Sequence, residues 1–262
     1  APVSVDCDNV WFWYDLPENL HQNNTQSHVS ATLKSISFHL PAGNVLGILG
    51  HTGSGKTTIA RLLLRFYDAQ RGEIRIGDQA IAQISLSDLR QRIGLVTQDV
   101  QLFQASVRDN LTFFSSAIAD DEILRALKRL GLGSWFKALP AGLDTMLSSD
   151  SGGLSAGQAQ LLAFARVFLK NPALVILDEA SSRLDPTTET LIERAVDTLL
   201  ARRTGIIIAH RLTTLQRADQ ILILEKGRVV EYGDRASLMQ TPDSRLARLL
   251  KLGSSSFPSQ TY

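Results

Sequence analysis

One short motif constrains this chain more than any other feature. Gly50-His51-Thr52-Gly53-Ser54-Gly55-Lys56-Thr57 fits the pattern G-x-x-x-x-G-K-[ST]. The apolar run Val45–Leu49 precedes it and helical periodicity from Thr57 to Arg65 follows it, the strand–loop–helix setting this pattern needs. The plain alternative, a flexible Gly/Ser loop, has no need of that setting. Glycines let consecutive backbone N–H groups turn inward as an anion nest. The helix N-terminus adds about half a positive charge aimed at the same point. Lys56 is then placed to reach the β- and γ-phosphates of a nucleotide, and the Thr57 hydroxyl suits a Mg²⁺ ligand. The candidate nucleotide-binding residues here are Gly50, His51, Thr52, Gly53, Ser54, Gly55, Lys56, Thr57 and Thr58.

The rest of the chain supplies further strands and helices. Val3, Val5 and Cys7, then Val10, Phe12 and Tyr14, read as a period-two strand. A polar stretch from Glu18 to Ser30 reads as a surface loop, and Ile36–Leu40 as a strand separated from Val45–Leu49 by Pro41-Ala42-Gly43. Further strand candidates are Glu73–Ile76, Ile93–Thr97, Leu174–Leu177, Gly205–Ala209, Gln220–Leu224 and Arg228–Tyr232, the last two joined by a Lys226-Gly227 hairpin turn. Between Ser106 and Lys170 the reading is mostly helical: Ile123, Leu124, Leu127 and Leu130 fall at helix spacing and the run ends on Gly131. The fold class is α/β: a P-loop core with a mostly parallel sheet and flanking helices, plus N-terminal antiparallel strands and a helical insertion.

The strand Leu174–Leu177 runs directly into Asp178 and Glu179. Strands buried on both faces look like this, and ligands bind beyond their carboxyl ends. Asp178 is thus expected beside the phosphate cradle as a Walker-B-type carboxylate for Mg²⁺. Glu179 points the other way, where it can orient or deprotonate an attacking water. Gln98 and His210 follow two other apolar strands. Taken singly, each of these polar residues reads as well as a solvated cap or a structural histidine. Three such strand ends around one cradle read as a site.

Composition excludes other classes. The chain has 262 residues, 44% of them hydrophobic and 20% charged, which is not a disordered or collagen-like make-up. Lys and Arg number 27 against 26 Asp and Glu, a net charge of +1, which argues against nucleic acid as a partner. The single cysteine, Cys7, makes no intrachain disulfide and fits a reducing compartment. No apolar run approaches the roughly 18–20 residues needed to cross a bilayer, and no signal peptide is evident. A chain beginning at Ala1 reads as a segment of something longer.

With these residues in place, the sequence resembles the nucleotide-binding domain of ATP-binding cassette transporters from Val3 to about Leu252. Leu154-Ser155-Ala156-Gly157-Gln158 is similar to the family signature L-S-G-G-Q, and Ser155 is placed as the N-cap of a helix, a second anion-binding terminus. The resemblance implies that Ser155, Ala156, Gly157 and Gln158 belong to the site of a nucleotide held by an opposite monomer, with Ser155 and Gly157 carrying the contact to its γ-phosphate. It matches Ser181-Ser182-Arg183-Leu184-Asp185 to the D-loop, with Asp185 at the nucleotide, Gln98 to the Q-loop (a third Mg²⁺ ligand beside Thr57 and Asp178), and His210 to the switch histidine. It implies that Tyr14 stacks on adenine. Core packing is the alternative for that ring, and Trp13 lies on the other strand face.

The segment Thr97 to Phe103 with Ser106 to Asn110, and Leu139-Pro140-Ala141-Gly142-Leu143-Asp144-Thr145, resemble the exporter branch. The resemblance implies one ATPase domain over residues 1–252, a helical subdomain at about 100–172 and a tail at 253–262. It implies ATP and Mg²⁺ as cofactors and Glu179, His210 and Gln98 as catalytic residues. It further implies a second ABC ATPase domain as partner, a transmembrane domain fused upstream, and a place on the cytoplasmic face of the membrane. Two alternatives stay open, a soluble ABC ATPase acting on DNA or ribosomes and a non-hydrolysing half of an unequal pair. Several positions depart from the family pattern. Ala156 stands for a glycine, Arg183 for a small residue, Ser149-Asp150-Ser151 for Glu-Arg-Gly, and Ala159 and Leu161 where Arg is usual.

Overall fold

The computed structural model describes residues 1–14, 31–97, 99–147, 154–178, 186–209 and 212–251. In chain order the elements begin β1 (Val5–Phe12), β2 (Leu33–Leu40), β3 (Val45–Gly50), α1 (Lys56–Leu63), β4 (Arg71–Ile76), β5 (Gln79–Ala80), α2 (Leu86–Arg92) and β6 (Ile93–Val96). The middle of the chain holds β7 (Ala105–Ser106), α3 (Val107–Thr112), α4 (Asp120–Arg129), α5 (Gly133–Lys137), β8 (Met146–Leu147) and α6 (Ala156–Lys170). The last third holds β9 (Leu174–Asp178), α7 (Pro186–Leu200), β10 (Thr204–Ile208), β11 (Gln220–Glu225), β12 (Arg228–Asp234), α8 (Arg235–Gln240) and α9 (Arg245–Lys251). They fall into two compact units, one drawn from 2–90 and 206–262, the other from 91–205 with Ala1.

The first unit carries the phosphate-loop strand. β3 is buried along its whole length and pairs in parallel with β11, from Leu46 opposite Gln220 to Gly50 opposite Leu224. A strand covered on both faces has no polar side to show, which is why Val45–Leu49 reads as an unbroken apolar run. β11 and β12 form an antiparallel hairpin whose turn residues, Lys226 (φ 48°) and Gly227 (φ 76°), both take the left-handed conformation a tight hairpin requires. β1 lies between β2 and β4 in an antiparallel sheet. Its buried side chains switch from Val5 and Cys7 to Val10 and Phe12 because Asn9 (φ 47°) interrupts the register between Cys7 and Val10. An added residue at a bulge moves the apolar set by one position, so the odd-to-even change in the sequence is the bulge itself.

The second unit pairs β6 with β9 in parallel and surrounds α6 with helices. α4 begins with Asp120, Asp121 and Glu122 and ends with Lys128 and Arg129, a charge order that complements the helix dipole. Ile123, Ala126 and Leu127 are buried on it, but Leu124 is 37% exposed, so the apolar stripe expected there is narrower by one residue. The stretch expected to be mostly helical also contains the short strand pair β7–β8, with Ala105 opposite Leu147. α6 is buried nearly all round, with Ala159, Leu161, Leu162, Phe164, Ala165, Val167 and Leu169 in the core. Ala159 and Leu161, odd against the family pattern, are therefore ordinary interior positions. Among the described residues no helix is long and apolar enough to cross a membrane.

Candidate functional site

In the first unit the loop after β3 turns directly into α1. Gly55 is the residue before α1, with φ 108° and no side-chain cap. A Cβ there would also lie 2.5 Å from Leu33 Cδ2, so both backbone angle and space demand glycine. An α-helix that begins without a side-chain cap leaves its first N–H groups to be satisfied by something other than a cap, and an anion does this well. Lys56 is buried, and its Nζ donates to the carbonyls of Gly50 (2.7 Å) and His51 (3.0 Å). The ammonium is thus folded back over the loop's start rather than out in solvent. Ser54 Oγ is buried and finds no hydrogen-bond partner among the described residues, a donor whose isolation costs about 1–3 kcal/mol. A positively charged, donor-rich loop of this kind fits phosphate.

Tyr14 follows β1 and meets α1. Its hydroxyl is 3.0 Å from Thr58 Oγ1 and accepts a hydrogen bond from Arg61 at 3.1 Å. The ring packs edge-on against Phe12 and Tyr67, with centroids 4.8 and 5.2 Å away, yet stays 40% exposed. One edge is anchored while part of the ring remains open to a ligand. Tyr14 and Thr58 are therefore one cluster on α1, the helix that the loop opens. A cavity of about 220 Å³ opens beside the loop's first residues, Gly50 and His51, and is lined by Leu224, Glu225, Arg245 and Arg248 among others. Arg245 pairs with Glu225.

The second unit holds two more of the expected positions. Asp178 closes β9, half-buried at the strand's carboxyl end, one residue beyond the apolar run. Ser155 caps α6: its Oγ accepts from the Gln158 N–H at 3.1 Å while Gln158 Oε1 accepts from the Ser155 N–H at 2.9 Å. This reciprocal capping box fixes the helix's first turn. Ala156 and Gly157 are its first residues, and Gly157 faces Thr188 of α7. Gln98, Glu179, Asp185 and His210 lie outside the described residues, as do Ser149 to Ser151, Arg183, the loop from Glu18 to Ser30 and the tail at 253–262.

One polar centre in the second unit escapes sequence reading. Arg166, which merely interrupts an apolar stretch in the sequence, is buried in the middle of α6 and donates to the carbonyl oxygens of Gln101 (2.8 Å) and Asn110 (2.6 Å) and to Asn110 Oδ1 (2.9 Å). Burial lowers its pKa. An arginine inside an apolar helical run is the signal that marks it, since a buried guanidinium needs acceptors. Elsewhere, burial pushes the Cys7 thiol pKa far up, which makes it a core residue and not a reactive one.

Residues 33–182 match the ABC_tran family, described as ABC transporter. The chain is 43% identical over 207 residues to the uncharacterized ABC transporter ATP-binding protein YknV of Bacillus subtilis (strain 168), covering 79% of this chain and 34% of that one. It is 40% identical over 242 residues to the ATP-dependent lipid A-core flippase of Pectobacterium atrosepticum, covering 92% of this chain and 40% of that one. The fold superimposes with a TM-score of 0.83 and 34% identity on a bacterial Atm1-family ABC exporter with ATP bound, over 98% of this chain and 43% of the other. The chain thus spans well under half the length of the relatives it matches. The chain belongs to the ABC transporter family and is a nucleotide-binding domain of its exporter branch.

Proposed function

We propose that this domain binds and hydrolyses ATP as the motor of an exporter. The observation that carries the proposal is Lys56, buried and drawn over an uncapped helix start by the carbonyls of Gly50 and His51. A charge held there is preorganised for the β- and γ-phosphates and loses little on binding them. Thr57 and Asp178, with Gln98, are oxygen donors of the kind Mg²⁺ prefers, and the ion when bound offsets phosphate charge. Tyr14, part of whose ring is exposed, is the aromatic group for adenine.

Glu179 accepts a proton from the attacking water, Gln98 and His210 orient water and γ-phosphate, and the products are ADP and phosphate. Ser155, Ala156, Gly157, Gln158 and Asp185 complete the site of a second ABC ATPase domain, so that ATP closes a dimer and hydrolysis releases it. The names ATP-binding/permease protein borne by relatives support a transmembrane domain as the other partner, and with it a place on the cytoplasmic face of a membrane. Residues 1–252 form this ATPase domain, with its helical part at about 100–172.

The test is Glu179→Gln, which keeps shape but removes the proton acceptor. Hydrolysis should fall about 10²–10⁴-fold. ATP binding should persist, and the ATP-loaded chain should run as a dimer on a sizing column, because a carboxylate repelling the γ-phosphate is gone. Wild-type turnover in this variant, or loss of ATP binding, overturns the assignment.

A further inference from the structure

We propose that Gln70 is a positioning residue for nucleotide binding, holding Tyr14 at the base by standing in for a strand neighbour of Trp13. The inference rests on the adenine-stacking role given to Tyr14 above. β1 ends at Phe12, and its partner β4 begins at Arg71, opposite Trp11. The Gln70 N–H, one residue before β4, donates to the carbonyl of Trp11 at 3.1 Å. The next rung is built from a side chain. Gln70 Oε1 accepts from the Trp13 N–H at 3.1 Å, and Gln70 Nε2 donates to the Trp13 carbonyl at 3.0 Å.

A carboxamide offers the donor and the acceptor that a peptide group offers. In an antiparallel ladder, alternate pairs of opposite residues exchange both N–H···O bonds, and the Gln70 side chain does the same with Trp13. It therefore prolongs the ladder on β1 by one rung. The consequence for Tyr14 is geometric. The Trp13 carbonyl and the N and Cα of Tyr14 lie in one planar peptide unit. A bond that fixes that carbonyl fixes where the Tyr14 side chain leaves the backbone, and only the rotamer remains to be set. The rings of Phe12 and Tyr67, edge-on at 4.8 and 5.2 Å, set it.

The hydroxyl of Tyr14 meets Thr58 and Arg61, but those bonds hold only the tip of the ring. The clamp at Trp13 holds its root. Glutamine suits the task on two counts. Asparagine is one methylene shorter, and an ionised glutamate has acceptors alone and would set an oxygen against the Trp13 carbonyl. Tyr67 and Gln70 both lie in the connection between α1, which ends at Leu63, and β4, which begins at Arg71. This connection, which carries no nucleotide motif in the sequence, thus shapes the place where the base is received.

The experiment measures Mg-ATP affinity by calorimetry and steady-state hydrolysis for the whole chain, wild type and Gln70→Met, each with and without Tyr14→Ala. Gln70→Met keeps the length of the side chain and removes both bonds. It should weaken ATP binding and raise KM by about 3–10-fold, with kcat within about twofold of wild type. That is a part of the roughly 5–150-fold that removing a stacked ring costs. In the Tyr14→Ala background it should cost almost nothing further, since the positioned ring is already gone. Unchanged affinity in Gln70→Met, a lower kcat at unchanged KM, or an equal loss in both backgrounds overturns the proposal. Gln70→Glu, which keeps the bond from the Trp13 N–H, repeats the test if Gln70→Met does not fold, with the same non-additivity expected and the same results overturning it. A wild-type chain that does not bind ATP, or a Tyr14→Ala chain that binds it as wild type does, removes the base-stacking reading and this inference with it. Binding without turnover removes the hydrolytic reading and leaves the affinities to decide. A loss in Tyr14→Ala to which that of Gln70→Met simply adds removes this inference alone.

Discussion

Replacing Gly157 with alanine sets two effects against each other. In a helix interior the change is favourable by about 0.8–1 kcal/mol, because alanine loses less backbone freedom than glycine. At this position, however, α6 lies against α7. A methyl group built on Gly157 falls inside the Thr188 methyl and lies 3.2 Å from Thr188 Cβ and 3.3 Å from its Oγ1. Rotating the threonine moves the methyl away but leaves Cβ too close, so the helices must part slightly. Overpacking of this kind costs about 1–3 kcal/mol. The two together leave between about zero and a net loss of about 2 kcal/mol, a fall of up to roughly 8 °C in melting temperature at the usual 2–4 °C per kcal/mol for chains of this size. Unfolding monitored by circular dichroism for wild type, Gly157→Ala, Thr188→Ala and the double variant isolates the contact. With Thr188 cut back to alanine, the added methyl should be tolerated, giving a coupling of about 1 kcal/mol or more. Strictly additive variants would refute the steric argument.

Two further outcomes follow from the first unit. Cys7 is 6% exposed with its thiol pKa raised by burial, so it should resist alkylation at mildly alkaline pH and react fully in denaturant; rapid labelling of the native chain would contradict the packing of β1. Tyr14→Phe should bind ATP nearly as wild type, because the ring is kept and only the bonds to Thr58 and Arg61 go. Tyr14→Ala should lose about 1–3 kcal/mol of binding, the usual worth of a base stacked on an aromatic ring, and equal affinity would return Tyr14 to core packing.

Much of this is legible in the sequence. The loop from Gly50 to Thr57 is a local device, since its glycines, its lysine and the flanking strand and helix are contiguous, and the structure has β3 and α1 where periodicity puts them. The Ser155–Gln158 box is equally local, which is why the N-cap is readable from four residues. The bulge at Asn9 was visible only as a lapse in alternation, because a left-handed residue leaves no other mark. The Arg166–Asn110 hub was not legible, since its partners are far apart in sequence and most of its acceptors are backbone carbonyls, which no side-chain pattern reveals. The strand pair β7–β8 was hidden for a similar reason: two-residue strands are too short to show a period.

The central claim is that the loop around Lys56 binds ATP for hydrolysis. Phosphate release from Mg-ATP by the purified chain, measured side by side with Lys56→Ala, tests it directly. Removing the ammonium held by the Gly50 and His51 carbonyls takes from the loop the side-chain cation placed to meet the phosphates. The wild-type chain should release phosphate steadily, and Lys56→Ala should bind ATP poorly and release none above background. Undiminished turnover in Lys56→Ala, or none in the wild type, would contradict the account.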